Sequence, residues 1–156
     1  MSNPAHFRPA RPDEAGAITR LVVRSKRHWG YSDEFIAALM PELTVSAGYV
    51  EHPLHHVEVL EADGRMIGVI CLARLTELAL LEDLFLDSDV IGGGYGRLMF
   101  ERAAEIARGW GKGVMELESD PYAEPFYRHL GAERVAMLPV TSVPGRAVPL
   151  MRFTLR

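Results

Sequence analysis

The stretch Leu84-Phe85-Leu86-Asp87-Ser88-Asp89-Val90-Ile91-Gly92-Gly93-Gly94-Tyr95-Gly96-Arg97-Leu98 decides how this chain is read. An apolar strand-like run passes into a loop with glycine at four of the five positions 92–96. A helical run follows, with Leu98, Met99, Ala103, Ile106 and Ala107 on its predicted apolar side and its end near Gly109 and Gly111. Residues without Cβ let successive backbone N–H groups approach a ligand closely. At a helix N-terminus those groups and the helix dipole favour an anion, and Arg97 in the first turn is placed to add a charge-assisted hydrogen bond. Two other nucleotide loops do not fit. A Walker A loop needs Gly-Lys-Ser/Thr after the glycines, and here Arg97-Leu98 follows Gly96. A dinucleotide loop needs an early strand-helix-strand setting, which the preceding residues do not supply.

Upstream of this stretch, His6 to Ala10 reads as a strand. Ala17, Ile18, Leu21 and Val22 then mark one face of a helix opened by Asp13 and Glu14. Ser32 is placed to cap a second helix with Phe35, Ile36 and Leu39 buried and Pro41 ending or bending it. Strands are predicted over 56–61, 66–74 and 78–86. The pair Asp63-Gly64 signals a hairpin between the first two. Downstream, 114–118 reads as a strand, 123–130 as a short helix stopped by Gly131, and 133–138 and 150–155 as the last strands. This order describes one α/β domain over residues 1–156, built on a mixed sheet that is largely antiparallel at its start.

With 156 residues and 48% apolar content the chain is long enough to bury its own core. A net charge of −4, from 17 basic against 21 acidic residues, gives no basic field for nucleic acid or an anionic membrane. The expected partners are small or neutral molecules. The single cysteine, Cys71, lies in an apolar run and reads as a buried structural thiol, which suits a reducing, cytoplasmic compartment. Residues 1–12 lack the apolar core of a secretory signal, and no run approaches the ~20 apolar residues of a membrane span. His52, His55 and His56 lack a metal-site spacing and read as loop residues, so no metal is expected.

The glycine loop and its strand resemble motif A of the GNAT superfamily of acyl-CoA-dependent N-acetyltransferases, which reads Arg/Gln-x-x-Gly-x-Gly/Ala. The segment from Ser119-Asp120-Pro121-Tyr122-Ala123 through Phe126-Tyr127 to Gly131-Ala132 is similar to the family's motif B, Asn-x-x-Ala-x-x-x-Tyr-x-x-x-Gly-Phe. The resemblance is specific from about Leu78 to Ala132 and compatible with nearly the whole chain. It implies the GNAT fold, about seven strands flanked by about four helices with two strands splayed at the cofactor site, and acetyl-CoA as co-substrate. Ile91 stands where the family carries Arg or Gln, and Asp120 where Asn is common. Asp87 and Asp89 place negative charge beside the expected pyrophosphate site unless they point away.

The resemblance implies that main-chain groups of Leu84 and Leu86, with Phe85 between them, hold the pantetheine and thioester as an added strand. Gly92, Gly93, Gly94, Tyr95, Gly96 and Arg97 form the phosphate loop, and Ser119, Asp120 and Tyr127 complete the cofactor site. Tyr127 is the implied general acid. Glu82 is a candidate base, because strict alternation puts it on one face with Leu84 and Leu86; Asp83, Glu116 and Glu118 are alternatives. His28, Trp29 and Tyr31 are expected to wall the acceptor pocket. The expected acceptor is a small-molecule primary amine. A peptide or protein amine, and a binding module without turnover, remain open at this point. A homodimer is expected by analogy.

Overall fold

The computed structural model describes residues 4–156; Met1–Asn3, part of the stretch read for a leader, lie outside the described residues. The chain runs β1 (His6–Pro9), a 3-10 turn, α1 (Ala15–Arg27), α2 (Asp33–Leu43), α3 (Ala47–Glu51), β2 (His55–Ala62), β3 (Arg65–Arg74) and β4 (Ala79–Leu86). After a second 3-10 turn come α4 (Tyr95–Gly109), β5 (Val114–Glu118), α5 (Glu124–His129), β6 (Glu133–Pro139) and β7 (Ala147–Thr154). The strands form one seven-stranded sheet in the order β1-β2-β3-β4-β5-β7-β6. Among the described residues only β4 and β5 pair in parallel. No helix among the described residues is long and apolar enough to cross a membrane.

Two apolar clusters cover the two sheet faces. Ile18, Leu21 and Val22 of α1 and Ile36, Leu39 and Leu43 of α2 pack on Val57, Val59, Val69 and Cys71. On the other face Met99, Phe100, Ala103, Ala104 and Ala107 of α4 pack with Tyr127 of α5 on Leu60, Ile70, Leu72 and Met115. The alternation in β2 and β3 therefore feeds both clusters, as expected of strands inside a sheet. Truncating a side chain at a fully buried site such as Ile70 or Leu72 to Ala costs about 2–5 kcal/mol.

The turn chemistry follows the residues. Asp63 (φ 54°) and Gly64 (φ 73°) are both left-handed, as a type I′ hairpin requires, and Ala62 pairs with Arg65 across them. Ser32 Oγ accepts the Phe35 N–H and caps α2.

Helix α2 runs past Pro41 to Leu43, because the N–H that Pro41 lacks falls in the last turn and Thr44 N–H still reaches Met40 O at 3.0 Å. In α4, Leu98 is exposed, whereas Phe100 and Ala104 are buried, so the packed stripe lies one residue further round than the sequence pattern suggested. Helix α3, with Ser46 capping Tyr49 N–H, is too short to show periodicity and has no counterpart in the sequence reading.

Helix α4 is fixed over the sheet by Arg102, whose Nε and Nη2 each reach the Glu58 carboxylate at 2.8 Å. Burial alone would raise the Glu58 carboxyl, but the Arg102 fork and His56 outweigh it and hold it at about 2. The same contact occupies His56, and His55 Nδ1 bonds Tyr49 O at 2.9 Å while its ring stacks on His52. Among the described residues no group of three or more His, Cys, Asp or Glu is arranged to hold a metal ion.

Candidate active site

Strands β4 and β5 form a short ladder and then part. Ala79, Leu80 and Leu81 pair with Met115, Glu116 and Leu117, and the remaining residues of β4 have no β5 partner. On its other edge β4 stays paired with β3, and Asp87 N–H donates to Ile67 O at 2.8 Å. Hydrogen-bonded and non-bonded pairs alternate along an antiparallel ladder, so Phe85 is bonded to Val69, and the main-chain groups of Leu84 and Leu86 point away from β3 into the fork. A row of unpaired backbone groups there is a template for an extended ligand.

A cleft of about 470 Å³ runs through this fork. Its floor is Leu84, Phe85 and Leu86 of β4 and Leu117 and Glu118 of β5; α1 supplies Ser25, Lys26 and Trp29, and the α5 side supplies Tyr122, Phe126 and Tyr127. At one end lie Gly92, Gly94, Gly96 and Arg97. Gly94, the N-cap of α4, has φ 86°, and neither a capping side chain nor an acidic residue occupies that end of the helix. The first-turn N–H groups are thus left to a ligand, with a geometry only glycine adopts readily. Gly96 serves a second purpose: a Cβ there would sit 3.0 Å from the Phe126 ring, so its absence lets α5 close against α4.

The acids beside the loop are turned to other partners. Asp87 receives both Arg24 Nε and Nη2, at 3.1 and 2.8 Å, and this contact holds its carboxyl below the ordinary range. Asp89 is paired with Arg65 at 2.5 Å. Ile91 lines the cleft with an apolar side chain. Arg97 also lines it, 3.8 Å from Glu101.

Tyr127 is 7% exposed. Its hydroxyl has no hydrogen-bond partner among the described residues, yet no fully buried side-chain polar atom is left unpaired, so this oxygen opens on the cleft. Burial pushes the phenol further above its usual pKa, with Asp83 and Asp120 adding to the effect, and it stays protonated at any physiological pH.

Glu82 does not share a face with Leu84 and Leu86, contrary to the alternation argument. Cys71 pairs with Asp83 and Leu72 with Leu81, which leaves Glu82 as the extra residue of a β-bulge. Parity changes there: Leu81 and Leu84 both join the α4-side cluster. The Glu82 carboxylate accepts from the Tyr49 hydroxyl, on the α1 side of the sheet. Its neighbour Asp83 is partly buried, and its carboxyl is pushed up to about 7, first by burial and then by the Glu82 charge, against the hydrogen bond from Cys71.

Other residues singled out from sequence sit behind the cleft wall. Tyr31 does not line the cleft; its hydroxyl lies 2.9 Å from Asp120 Oδ2, and its phenol is pushed up to about 12, chiefly by burial. His28 is exposed and meets Trp29 edge-on. Ser119 is buried and donates to Asp120 O. Gly93 and Tyr95 shape the loop without facing the cavity, Tyr95 packing into the α4-side core. Asp120 lines the cleft but is held by Lys26 Nζ at 2.5 Å, Tyr31 and the Tyr122 N–H. Sequence reasoning passed over Lys26 and Phe126. Lys26 lies among other basic residues near the end of α1, and only its burial sets it apart. Phe126 meets Gly96 only in the folded chain, and no local pattern links the two.

Solved structures share this architecture over almost the full chain. They include PaiA N-acetyltransferase from Thermoplasma acidophilum in complex with coenzyme A (17% identity, 97% of this chain and 99% of that one, TM-score 0.77). A GCN5-related N-acetyltransferase from Rhodopseudomonas palustris matches at 17% identity, 99% and 98% coverage and TM-score 0.81. The ribosomal-protein-S18-alanine N-acetyltransferase from Escherichia coli matches at 18%, 97% and 94% coverage and TM-score 0.71. At these identities the likeness is one of fold. A comparison with curated protein sequences finds no significant match. The model of the acetyltransferase (GNAT) family matches residues 12–132, which contain the parted strands, the glycine loop and Tyr127, and the chain belongs to that family.

Proposed function

We propose that this protein transfers the acetyl group of acetyl-CoA to a primary amine of a small molecule by direct attack of the amine on the thioester. The observation that carries the reading is the partner-free Tyr127 hydroxyl opening into the fork between β4 and β5. The residues present fit the co-substrate. The uncapped first turn of α4, with Gly92 and Gly94 in left-handed geometry, suits a pyrophosphate, and the main chain of Leu84 and Leu86 suits the amides of a pantetheine arm. Acetyl-CoA supplies an activated thioester.

The chain's own groups then account for the protons. Asp83, poised at about 7 but set back from the cleft lining, takes a proton from the incoming ammonium through water, in preference to Glu82, which lines the cleft but is engaged by Tyr49. Nitrogen forms its bond to the acetyl carbon as the carbon–sulfur bond breaks, and the second proton that nitrogen sheds on becoming an amide ends on the departing sulfur, giving the free thiol. Tyr127 donates a hydrogen bond to the departing sulfur. Because its pKa lies above that of an ordinary thiol, near 8.5, full transfer is uphill and the hydrogen bond itself is the larger contribution. Cys71 is fully buried with its thiol pushed up, so it is unsuited to relay the acetyl group.

The test is calorimetric titration of acetyl-CoA into the wild-type protein and into Gly94→Trp, followed by acceptor-dependent thiol release. The reading requires micromolar binding by wild type, its loss in a variant that remains folded by circular dichroism, and thiol release with at least one amine. Binding without any amine-dependent release would replace the enzyme with an acyl-CoA-binding module. No binding would remove both.

A further inference from the structure

The acceptor half of the cleft holds carboxylates that no basic side chain neutralises. The ladder between β4 and β5 ends at Leu81 and Leu117, so Glu82 and Glu118 are the first residues past it on their two strands. Both line the cleft. Glu82 meets only the neutral Tyr49 hydroxyl. Glu118 is exposed, and among the described residues its side chain has neither an ion pair nor a hydrogen bond. Among the described residues the basic groups at this wall, Lys26 and Arg146, both face Asp120, at 2.5 and 3.7 Å, rather than Glu82 or Glu118, and Arg97 stands at the glycine-loop end. The Trp29 and Tyr122 rings, stacked at 5.5 Å and 12°, line the same cleft as these acids.

Acids alone do not make a site. Here the cavity is marked independently as a ligand site by Tyr127, buried and aiming its unpartnered hydroxyl into it. A cleft with uncompensated negative charge at one end attracts cations and repels anions, and an aromatic face adds to the attraction.

Resting on the transferase reading, we infer that the acceptor is an amine carrying a second positive charge, and that Glu118 recognises that second cation beside the Trp29 and Tyr122 rings. The transfer step is unchanged: the reacting nitrogen loses its proton and bonds the acetyl carbon, while the second cation stays charged. An amine bearing a carboxylate at the same distance is excluded by repulsion.

Three acceptors of one chain length provide the test: butylamine, the same chain ending in a second ammonium, and the same chain ending in a carboxylate. Thiol release is measured at fixed acetyl-CoA, and binding of each amine is measured separately by calorimetry. The diamine is expected to exceed butylamine in kcat/KM by about tenfold, mostly through KM, and the carboxylate compound to fall below both. Glu118→Gln should cost the diamine about 2- to 5-fold, a charge-pair effect of ordinary size for a partly screened site. Equal use of the three, preference for the carboxylate compound, or an unaltered preference in Glu118→Gln would overturn the inference. If wild type fails to bind acetyl-CoA, the transferase reading fails, and the order of amine affinities, which needs no acetyl-CoA, still decides between a cation site and none.

Discussion

Lys26 Nζ and Asp120 Oδ2 lie 2.5 Å apart, joining α1 to the segment between β5 and α5 across the wall of the cleft. Each side chain is only 10% exposed. Asp120 also faces Arg146 at 3.7 Å, so removing Asp120 alone strands two cations where water is scarce, whereas removing Lys26 with it leaves only the more exposed Arg146 without that partner. Asp120→Asn is expected to destabilise the protein by about 3 kcal/mol, and Lys26→Met combined with Asp120→Asn to recover more than half of that. Urea denaturation of the two single variants and the double variant checks this. Additive losses would show that the pair contributes nothing beyond its separate residues.

Tyr127→Phe removes a hydroxyl that has no hydrogen-bond partner among the described residues, so it disturbs little in the fold. Turnover should fall by about 10²-fold with acetyl-CoA affinity within about twofold of wild type. Single-turnover thiol release beside calorimetry separates the two quantities. A loss of affinity equal to the loss of rate would make Tyr127 a binding residue only.

These two residues show what the sequence made legible. The order of elements, the glycine loop and the motif that contains Tyr127 follow from periodicity and resemblance, because each is a local pattern. Glu82 was misplaced because a β-bulge is set by how β3 and β4 pair, and one extra residue reverses every side chain beyond it. Asp120 occupies a motif position, but its partners Lys26 and Tyr31 are 94 and 89 residues away in sequence. Nothing local in the chain announces that meeting.

Gly96 and Gly94 should fail in different ways. At Gly96 a methyl group meets the Phe126 ring at 3.0 Å, so Gly96→Ala presses on that ring, which must give by a few tenths of an ångström next to Tyr127. At Gly94 nothing lies within 4 Å of an added Cβ, and the cost comes from φ 86°, about 1–2 kcal/mol for an L-residue. Gly96→Ala is therefore expected to lower turnover more than acetyl-CoA affinity, and Gly94→Ala to lower affinity by about tenfold as the helix-terminal N–H groups shift. Measuring kcat and dissociation constants for both variants checks the contrast; identical profiles would contradict it.

Asp83 gives a prediction in which rate and stability move in opposite directions with pH. Its carboxyl titrates at about 7 in the folded protein, against about 4 in an unfolded chain. Between those values the folded state holds a proton that the unfolded state has released, so stability falls as pH rises through that window. In the proposed mechanism the same deprotonation supplies the base, so kcat/KM should rise with pH and level off above about 7. Asp83→Asn removes both effects: turnover drops by about 10²-fold and loses its dependence near neutrality, while the thermal midpoint at pH 8 rises by about 3–6 °C and at pH 4 is nearly unchanged. Replacement by Asn keeps an acceptor for the Cys71 thiol, so the comparison isolates the charge. Should Asp83→Asn slow the enzyme without raising its midpoint at pH 8, the carboxylate is not held out of water as argued, and the base must be sought at Glu82 through a bridging water. A raised midpoint with an unaltered pH–rate profile would place Asp83 in the core alone and outside the chemistry.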